Sequence, residues 1–430
     1  MGQKRKDTFR LSKGFDVMIN KNVIITRRQI ILFFVLFFMF IPYNDFIFKQ
    51  AGAYFSIIVH AACIVYYGTR RIERKYSKTS TYLLFSILMQ IELVLSATLQ
   101  GGVFWPFAKI GMYIVSGILM FQYELKRDAR SFLITVITVF DVFVVIHSIE
   151  RVLERPYRVL DFTGPVYYLG SDNDAVSYFI LLFILCAVYL LNWKPNLFSI
   201  MGLLISPIMV FYSKSGTGMI AFVVFFVLFS LSLIPIAGKL VKLLSNTVTV
   251  IIAYSVMLFI MISASLVQFT SIGQFVQQVT GKDITNFSAR TQIWGSAINV
   301  FLKKPIFGIG YGAGANGNGV YARGFYFGAH NLFLQWLVNG GIVCGVLFVI
   351  CFVASLRRLD SIKIEKRYFL LSLVAIYLVA MSMENYFNGI HIFPILTVVC
   401  YIPVFCTNKE LPRPFFKGKR KRIKLVRGHH

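Results

Sequence analysis

The chain has 430 residues, 57% of them hydrophobic and only 14% charged, with a formal net charge of +26. A soluble globular domain carries roughly 25% charged residues, so this composition excludes a chain folded around one water-soluble core and points to a bilayer as solvent. The apolar stretches are continuous rather than alternating, which favours spanning helices of about 20 residues over a closed barrel.

Residues 1–29 form a basic amino-terminal segment (Lys4, Arg5, Lys6, Arg10, Lys13, Arg27, Arg28) that precedes the first apolar run, as in a signal anchor rather than a cleaved leader. Apolar runs then lie near 30–48, 51–68, 80–99, 104–121, 131–150, 174–192, 196–212, 217–236, 247–267, 331–354, 368–386 and 390–406. These runs predict an all-α polytopic membrane protein with about twelve transmembrane helices, a single integral membrane domain over 1–430. Alternate short loops are rich in Lys and Arg: Arg70, Arg71, Arg74 and Lys75; Lys126, Arg127 and Arg130; Lys239 and Lys242; Arg357, Arg358, Lys363, Lys366 and Arg367. With the basic tail at 407–430, all of them fall on one side of a twelve-span chain. The positive-inside rule makes that side, and both termini, cytoplasmic. The tail is read as contacting anionic lipid headgroups, not nucleic acid. Cys63, Cys186, Cys344, Cys351, Cys400 and Cys406 all sit in or at the end of apolar runs and form no CxxC pair, so they read as small apolar fillers.

Two outward loops are long, and long loops in compact chains usually carry function. The first, 151–174, holds Arg151, Arg155 and Arg158; the second, 268–330, lies between spans nine and ten and holds Lys282, Arg290, Lys303, Lys304 and Arg323. A short outer turn, Tyr212-Ser213-Lys214-Ser215-Gly216-Thr217, adds Lys214. Positive charge on the side where topology disfavours it suits a bound anion such as phosphate, with plain solvation as the alternative reading. Inside the second loop, residues 288–304 read as an amphipathic helix. Ser288 is its N-cap, Ile293, Trp294, Ala297, Ile298 and Phe301 are its apolar face, and Pro305 is its stop. It would lie on the bilayer surface or on the bundle, with Arg290 in its first turn. A glycine-dense stretch follows, Phe307-Gly308-Ile309-Gly310-Tyr311-Gly312 and on to Gly319. It lacks the strand–turn–helix context and the Gly-Lys-Ser/Thr of a nucleotide loop, and reads as a close-approach segment or a lid. His330 stands at the outer end of the next span. His60, His147 and His391, within or near the ends of spans, read as structural. Among ionisable residues inside spans, Glu92 and Lys109 stand at similar depth and read as an ion pair, whereas Asp141 and Glu384 have no partner in sequence and suit a cavity lining.

Arg290-x-x-x-Trp294, then Lys304-Pro305-Ile306-Phe307-Gly308-Ile309-Gly310-Tyr311-Gly312, then His330-Asn331-Leu332-Phe333-Leu334-Gln335 with Gly340-Gly341-Ile342, resembles the O-antigen polymerase/ligase superfamily, which includes the Wzy-type repeat-unit polymerases. The motif string spans about 60 residues. Span count and the late large loop extend the likeness along the chain. Ser213-Lys214-Ser215-Gly216 resembles the family's Ser-Arg-Gly turn with Lys in place of Arg, and Asp172-Asn173-Asp174-Ala175 resembles a further family position. His330 and Gly341 fit the His-x10-Gly spacing associated with ligases, while a histidine-containing motif is shared by Gram-positive capsule and exopolysaccharide polymerases.

The resemblance implies a GT-C-type membrane glycosyltransferase facing outward from the bacterial plasma membrane. A glycan on a polyprenyl (undecaprenyl) diphosphate would be the donor, and a hydroxyl of a second lipid-linked repeat unit the acceptor. The product would be an O-antigen, capsule or exopolysaccharide. No cofactor, catalytic metal or nucleotide sugar is implied; a chain-length regulator and a flippase are implied as partners. The leaving diphosphate needs cations, and an arginine fork fits phosphate best. Arg290 is the first choice, with Arg155, Arg158, Lys214 and Arg323 as helpers. The attacking hydroxyl needs a proton acceptor, for which His330 is suited. Two alternatives stay open: a ligase passing finished glycan to another acceptor, and a lipid-linked oligosaccharide flippase or transporter.

Overall fold

The computed structural model describes residues 26–41, 51–73, 81–100, 104–160, 164–213, 215–234, 238–239, 241–242, 245–267, 290–310, 320–322, 325–384 and 392–407. The helices are α1 (Arg27–Phe40), α2 (Ala51–Glu73), α3 (Thr81–Leu99), α4 (Phe104–Val152), α5 (Asp172–Asn192), α6 (Leu197–Tyr212), α7 (Gly216–Leu233), α8 (Thr247–Val267), α9 (Arg290–Lys303), α10 (Leu332–Leu356), α11 (Ile364–Met383) and α12 (Ile392–Thr407). Two short antiparallel hairpins interrupt them, β1 (Arg158–Leu160) with β2 (Gly164–Val166), and β3 (Val320–Ala322) with β4 (Phe325–Phe327).

Among the described residues six helices are long and apolar enough to cross a bilayer, and three shorter apolar ones accompany them. Each expected span overlaps a helix, with one rearrangement: the runs at 104–121 and 131–150 belong to one kinked helix. In α4 the backbone breaks at Asp128 (φ −160°, ψ 82°), and the Asp128 carboxylate accepts from Ser131 N at 3.0 Å, capping the returning half. The basic loop expected there is thus a single-residue hinge.

Helices joined by short turns must run antiparallel, so the bundle has two distinct ends. One end collects the start of α4, the Ser213–Ser215 turn, and the starts of α5, α9 and α10. Lys304 donates to Gln100 just past α3, and Gly310 lies against Ala97 at the same end. The opposite end collects Arg27, Arg28, Lys126, Arg127, Arg357, Arg358 and Arg367. The core between them is largely apolar and aromatic, with Phe121, Phe132, Phe140, Phe143 and Phe179 buried around α4 and α5, and it also buries Asp141 against Gly202 of α6. The α5 helix is buried along most of its length, which explains why its apolar residues lack a polar stripe.

Helix α9 forms where the amphipathic pattern predicts it. Ile293, Trp294 and Ala297 are buried in a small cluster with Val320, Ala329, Leu334 and Val338, and the helix packs on α8 and α10. It therefore lies on the bundle. The expected N-cap Ser288 lies outside the described residues.

Lys304–Gly310 then docks into a broken helix. In α10 Gly341 adopts φ 64°, ψ −162°, which interrupts the i→i−4 ladder. The freed groups find partners on the docked segment: Ile309 N and Gly310 N donate to Val338 O and Asn339 O at 2.8 and 3.0 Å, and Ile342 N and Val343 N donate to Pro305 O and Ile306 O at 2.8 and 3.3 Å. Buried backbone groups must be paired, and this exchange pairs them. Ser96 on α3 donates to Asn339 O at 2.8 Å and to Phe307 O, fastening the third wall. A Cβ at Gly341 would overlap the Ile306 carbonyl, and one at Gly308 the Val338 carbonyl. The described glycines of the dense stretch therefore serve close approach of backbone to backbone; residues 311–319 lie outside the described set.

The Glu92–Lys109 pair is not formed. Glu92 faces Gly340 and Cys344 on α10, while the Lys109 ammonium lies 5.7 Å from the Tyr113 ring centroid. Equal depth fixes height along two helices but not the direction each side chain takes around its own axis. His60 and His147 are buried, each held by one ring nitrogen: His60 Nδ1 is 2.6 Å from Ser116 Oγ, and His147 Nδ1 accepts from Leu169 N at 3.2 Å. His391 lies outside the described residues.

Candidate active site

The motif His330-Asn331…Gln335 is a helix start with a tether. Asn331 caps α10, its Oδ1 accepting from Leu334 N at 3.0 Å, while its Nδ2 donates to Ser382 O at 2.8 Å. That second bond draws the end of α11 against the start of α10. Gln335 reaches back to accept from Ala329 N at 2.7 Å and onward to donate to Asn339 Oδ1 at 3.0 Å. Trp294 Nε1 donates to His330 O at 3.4 Å. Clamped on both sides, His330 holds a left-handed backbone, φ 44°. A non-glycine residue there costs on the order of 1–3 kcal/mol, and such strain gathers at functional sites.

The consequence is a three-residue junction. Glu384, the C-cap of α11, places Oε2 2.8 Å from His330 Nδ1 and pairs through Oε1 with Arg290 Nη2. Arg290 Nη1 donates to Thr217 Oγ1 at 3.3 Å, so the first turns of α9 and α7 meet. Glu384 and Arg290 are 7% and 13% exposed, whereas His330 keeps 34% of its side chain open. The ion pair is covered and the imidazole is accessible. An ionised carboxylate only accepts, so Nδ1 carries the proton and Nε2 is the basic nitrogen.

The surroundings favour an anion. The amino-terminal ends of α5, α7, α9 and α10 converge here, linked by Ser215 Oγ donating to Asn173 Oδ1 at 2.8 Å and by the Arg290–Thr217 bond. Each end carries the positive pole of a helix; those of α5 and α10 are capped by Ser171 and Asn331, and the α5 end also holds Asp172 and Asp174. Asp174 closes the α5 capping box with Ser171. Beside it, Arg151 grips Asp172 with Nε and Nη2 at 3.0 and 3.2 Å and lies against the Tyr167 and Tyr212 rings.

Of the residues singled out in the sequence, Arg290 and His330 are brought together. Arg155 and Arg158 sit instead at the base and first strand of the β1–β2 hairpin, both exposed, and neither is among the partners of Glu384 or His330. Lys214 and Arg323 lie outside the described residues, although the flanking Ser215 contacts Asn173. Glu384 is the residue whose role sequence reasoning missed. Its cost inside a membrane marked it, but its partners are 54 and 94 positions away. Among the described residues no group of His, Cys, Asp and Glu has the arrangement of a metal site.

No curated protein matches the chain. Residues 201–349, less than half of it, match the family model described as O-antigen ligase. That window includes the Ser213–Thr217 turn, Arg290, the docked segment, His330 and Gly341; Glu384 lies beyond it. Over these residues the helical, apolar chain is similar to the O-antigen polymerase/ligase superfamily, and the window holds most of the motif residues.

Proposed function

We infer that the chain is a membrane glycosyltransferase that polymerises polyprenyl-diphosphate-linked repeat units into a surface polysaccharide. In this reading it is a GT-C-type protein of about twelve spans, its site faces outward, and both termini are cytoplasmic. The observation that carries the reading is one carboxylate, Glu384, shared by Arg290 and His330. The hydroxyl of an acceptor unit attacks the anomeric carbon of the donor glycan. His330 Nε2 takes the hydroxyl proton as the new C–O bond forms, and the bond to the lipid diphosphate breaks. Glu384 holds the imidazole in the tautomer required and stabilises the imidazolium, as a carboxylate does in hydrolytic triads. Arg290 and the converging helix ends neutralise charge gathering on the departing diphosphate. Because Glu384 holds Arg290 as well, base and cation keep a fixed separation.

The match to an O-antigen ligase model favours a second reading, transfer of finished glycan to a different acceptor. One reconstitution separates them. Protein in liposomes receives its host's polyprenyl-diphosphate-linked repeat unit, with chelator and without nucleotide sugar. A ladder at repeat-unit intervals, still lipid-linked, supports the polymerase. Loss of lipid-linked glycan to an added acceptor moves the reading to ligase. Substrate crossing the bilayer unchanged overturns both in favour of transport.

A further inference from the structure

Helices α1 and α2 bury an imidazole, a thiol and a thioether side by side. His60 and Cys63 stand one turn apart on α2, and Met39 comes from the end of α1. They are 2%, 6% and 4% exposed. Cys63 Sγ lies 4.0 Å from Met39 Sδ. Met39 and His60 line one small cavity with Phe40, Tyr113, Gly117 and Pro394, which has about the room of a single water. By itself a sulfur–sulfur contact is ordinary packing; the imidazole beside it is what points to a ligand. Ser116 Oγ gives its one hydrogen to Tyr113 O at 2.9 Å, so its 2.6 Å contact with His60 places the ring proton on Nδ1. Nε2 then carries a lone pair, and among the described residues no donor meets it. The Met39 carbonyl beside the ring only accepts. A buried lone pair costs free energy until a donor or a cation reaches it. Metal-binding histidines are held in this way, by a hydrogen bond from the other ring nitrogen.

We propose that Met39 Sδ, His60 Nε2 and Cys63 Sγ bind one copper(I) ion, which ties α1 to α2 inside the bilayer. Thioether and thiolate are soft ligands that suit monovalent copper. At roughly 2.3 Å per bond, the zinc–thiolate value, two sulfurs 4.0 Å apart subtend about 120° at the ion, the angle of a trigonal site with three ligands. The set carries one negative charge, the thiolate. It neutralises a monovalent ion and leaves a divalent one charged in a low-dielectric interior. Lys109, whose charge acts on the same ring, sharpens that discrimination. Binding releases the Cys63 thiol proton to water as the metal–sulfur bond forms, with no change of oxidation state. Because one ligand is a thioether, no cluster of three His, Cys, Asp or Glu marks the site among the described residues. The inference is independent of the glycan chemistry: α1 and α2 carry it, whereas Arg290, His330 and Glu384 stand at the ends of α9, α10 and α11.

The test uses full-length protein in liposomes, loaded with copper(I) under ascorbate and then challenged with the chelator bicinchoninate. One equivalent is expected to resist the chelator in the wild type. It should be lost in Met39→Leu, a volume-conserving change, and in Cys63→Ser. Ser116→Ala, which frees the imidazole to turn, should weaken retention by about 10–100-fold. X-ray absorption of the loaded protein should show two sulfur ligands and one nitrogen. Wild-type protein that gives up all its copper overturns the proposal and leaves the cavity to water. An equivalent that survives both Met39→Leu and Cys63→Ser also overturns it, placing the ion on another of the buried thiols. Zinc(II) held against an equal challenge overturns selection for a monovalent ion, and an all-sulfur coordination shell overturns the role of His60.

Discussion

Two arginine–glutamate pairs with buried carboxylates stand at opposite ends of this bundle and behave differently. At the basic end, Arg28 pairs with Glu124, which also accepts from Tyr67 Oη at 3.2 Å; Asp128 lies 3.9 Å from the same guanidinium. These groups lie on helical backbone or at a capping hinge, and they join α1, α2 and α4. At the other end, Arg290 pairs with Glu384, but the third member is a histidine on a strained backbone, one third open to its surroundings. The first pair closes a joint between helices. The second holds a titratable ring at an accessible edge. Ion pairs of equal chemistry are thus told apart by what else the carboxylate holds and whether that third group is reachable.

The sharpest way to break this contrast is His330→Ala. It should reduce formation of lipid-linked ladder by about 10²–10⁴-fold with protein level unchanged on immunoblot; a ladder of normal length would make both ends structural. Next, Glu384→Gln should lower transfer by about 10²-fold or more, because the neutral amide can donate to Nδ1 and leave Nε2 carrying the proton. Combined with Arg290→Ala it should cost little beyond the larger single loss, since the three residues act as one unit; full additivity in liposome assays would separate them. Gly341→Ala should cost about 2 kcal/mol or more from the left-handed backbone and the overlap with Ile306, seen as a lower unfolding midpoint in detergent and accompanied by lost activity. Glu124→Gln should lower stability by about 2 kcal/mol, because one member of a covered pair is left uncompensated. Turnover of the folded fraction should be unchanged, and a fall in turnover would erase the distinction between the ends. Thr217→Val should have the smallest effect, about fivefold in rate, from losing one hydrogen bond to Arg290 worth about 1 kcal/mol.

The apolar helices were legible because each lies in a long apolar run, and α9 because its apolar residues recur at helical spacing. Arg290 and His330 were legible through motif spacing, and because charge and imidazole stand out beside apolar spans. What joins them was not. Glu384 has no nearby basic residue in sequence, and only folding places it between α9 and α10. Thr217 was read only as part of the short outer turn that carries Lys214. The Gly308 and Gly310 stretch was readable as close approach, yet nothing in sequence named the partner, since the gap in α10 exists only once Gly341 turns left-handed. The α4 hinge escaped because a single capping aspartate carries little compositional trace.

The break at Gly341 has a bearing on which length changes this chain can accept. Leu332–Gly340 is an uninterrupted stretch, about 13 Å at 1.5 Å per residue, with the Asn331 cap at one end and the Val338 and Asn339 carbonyls at the other. One inserted residue would swing those carbonyls by about 100°, away from Ile309 and Gly310. The segment between His330 and Gly341 is therefore a ruler: its side chains can vary wherever they face lipid, but its count of residues cannot.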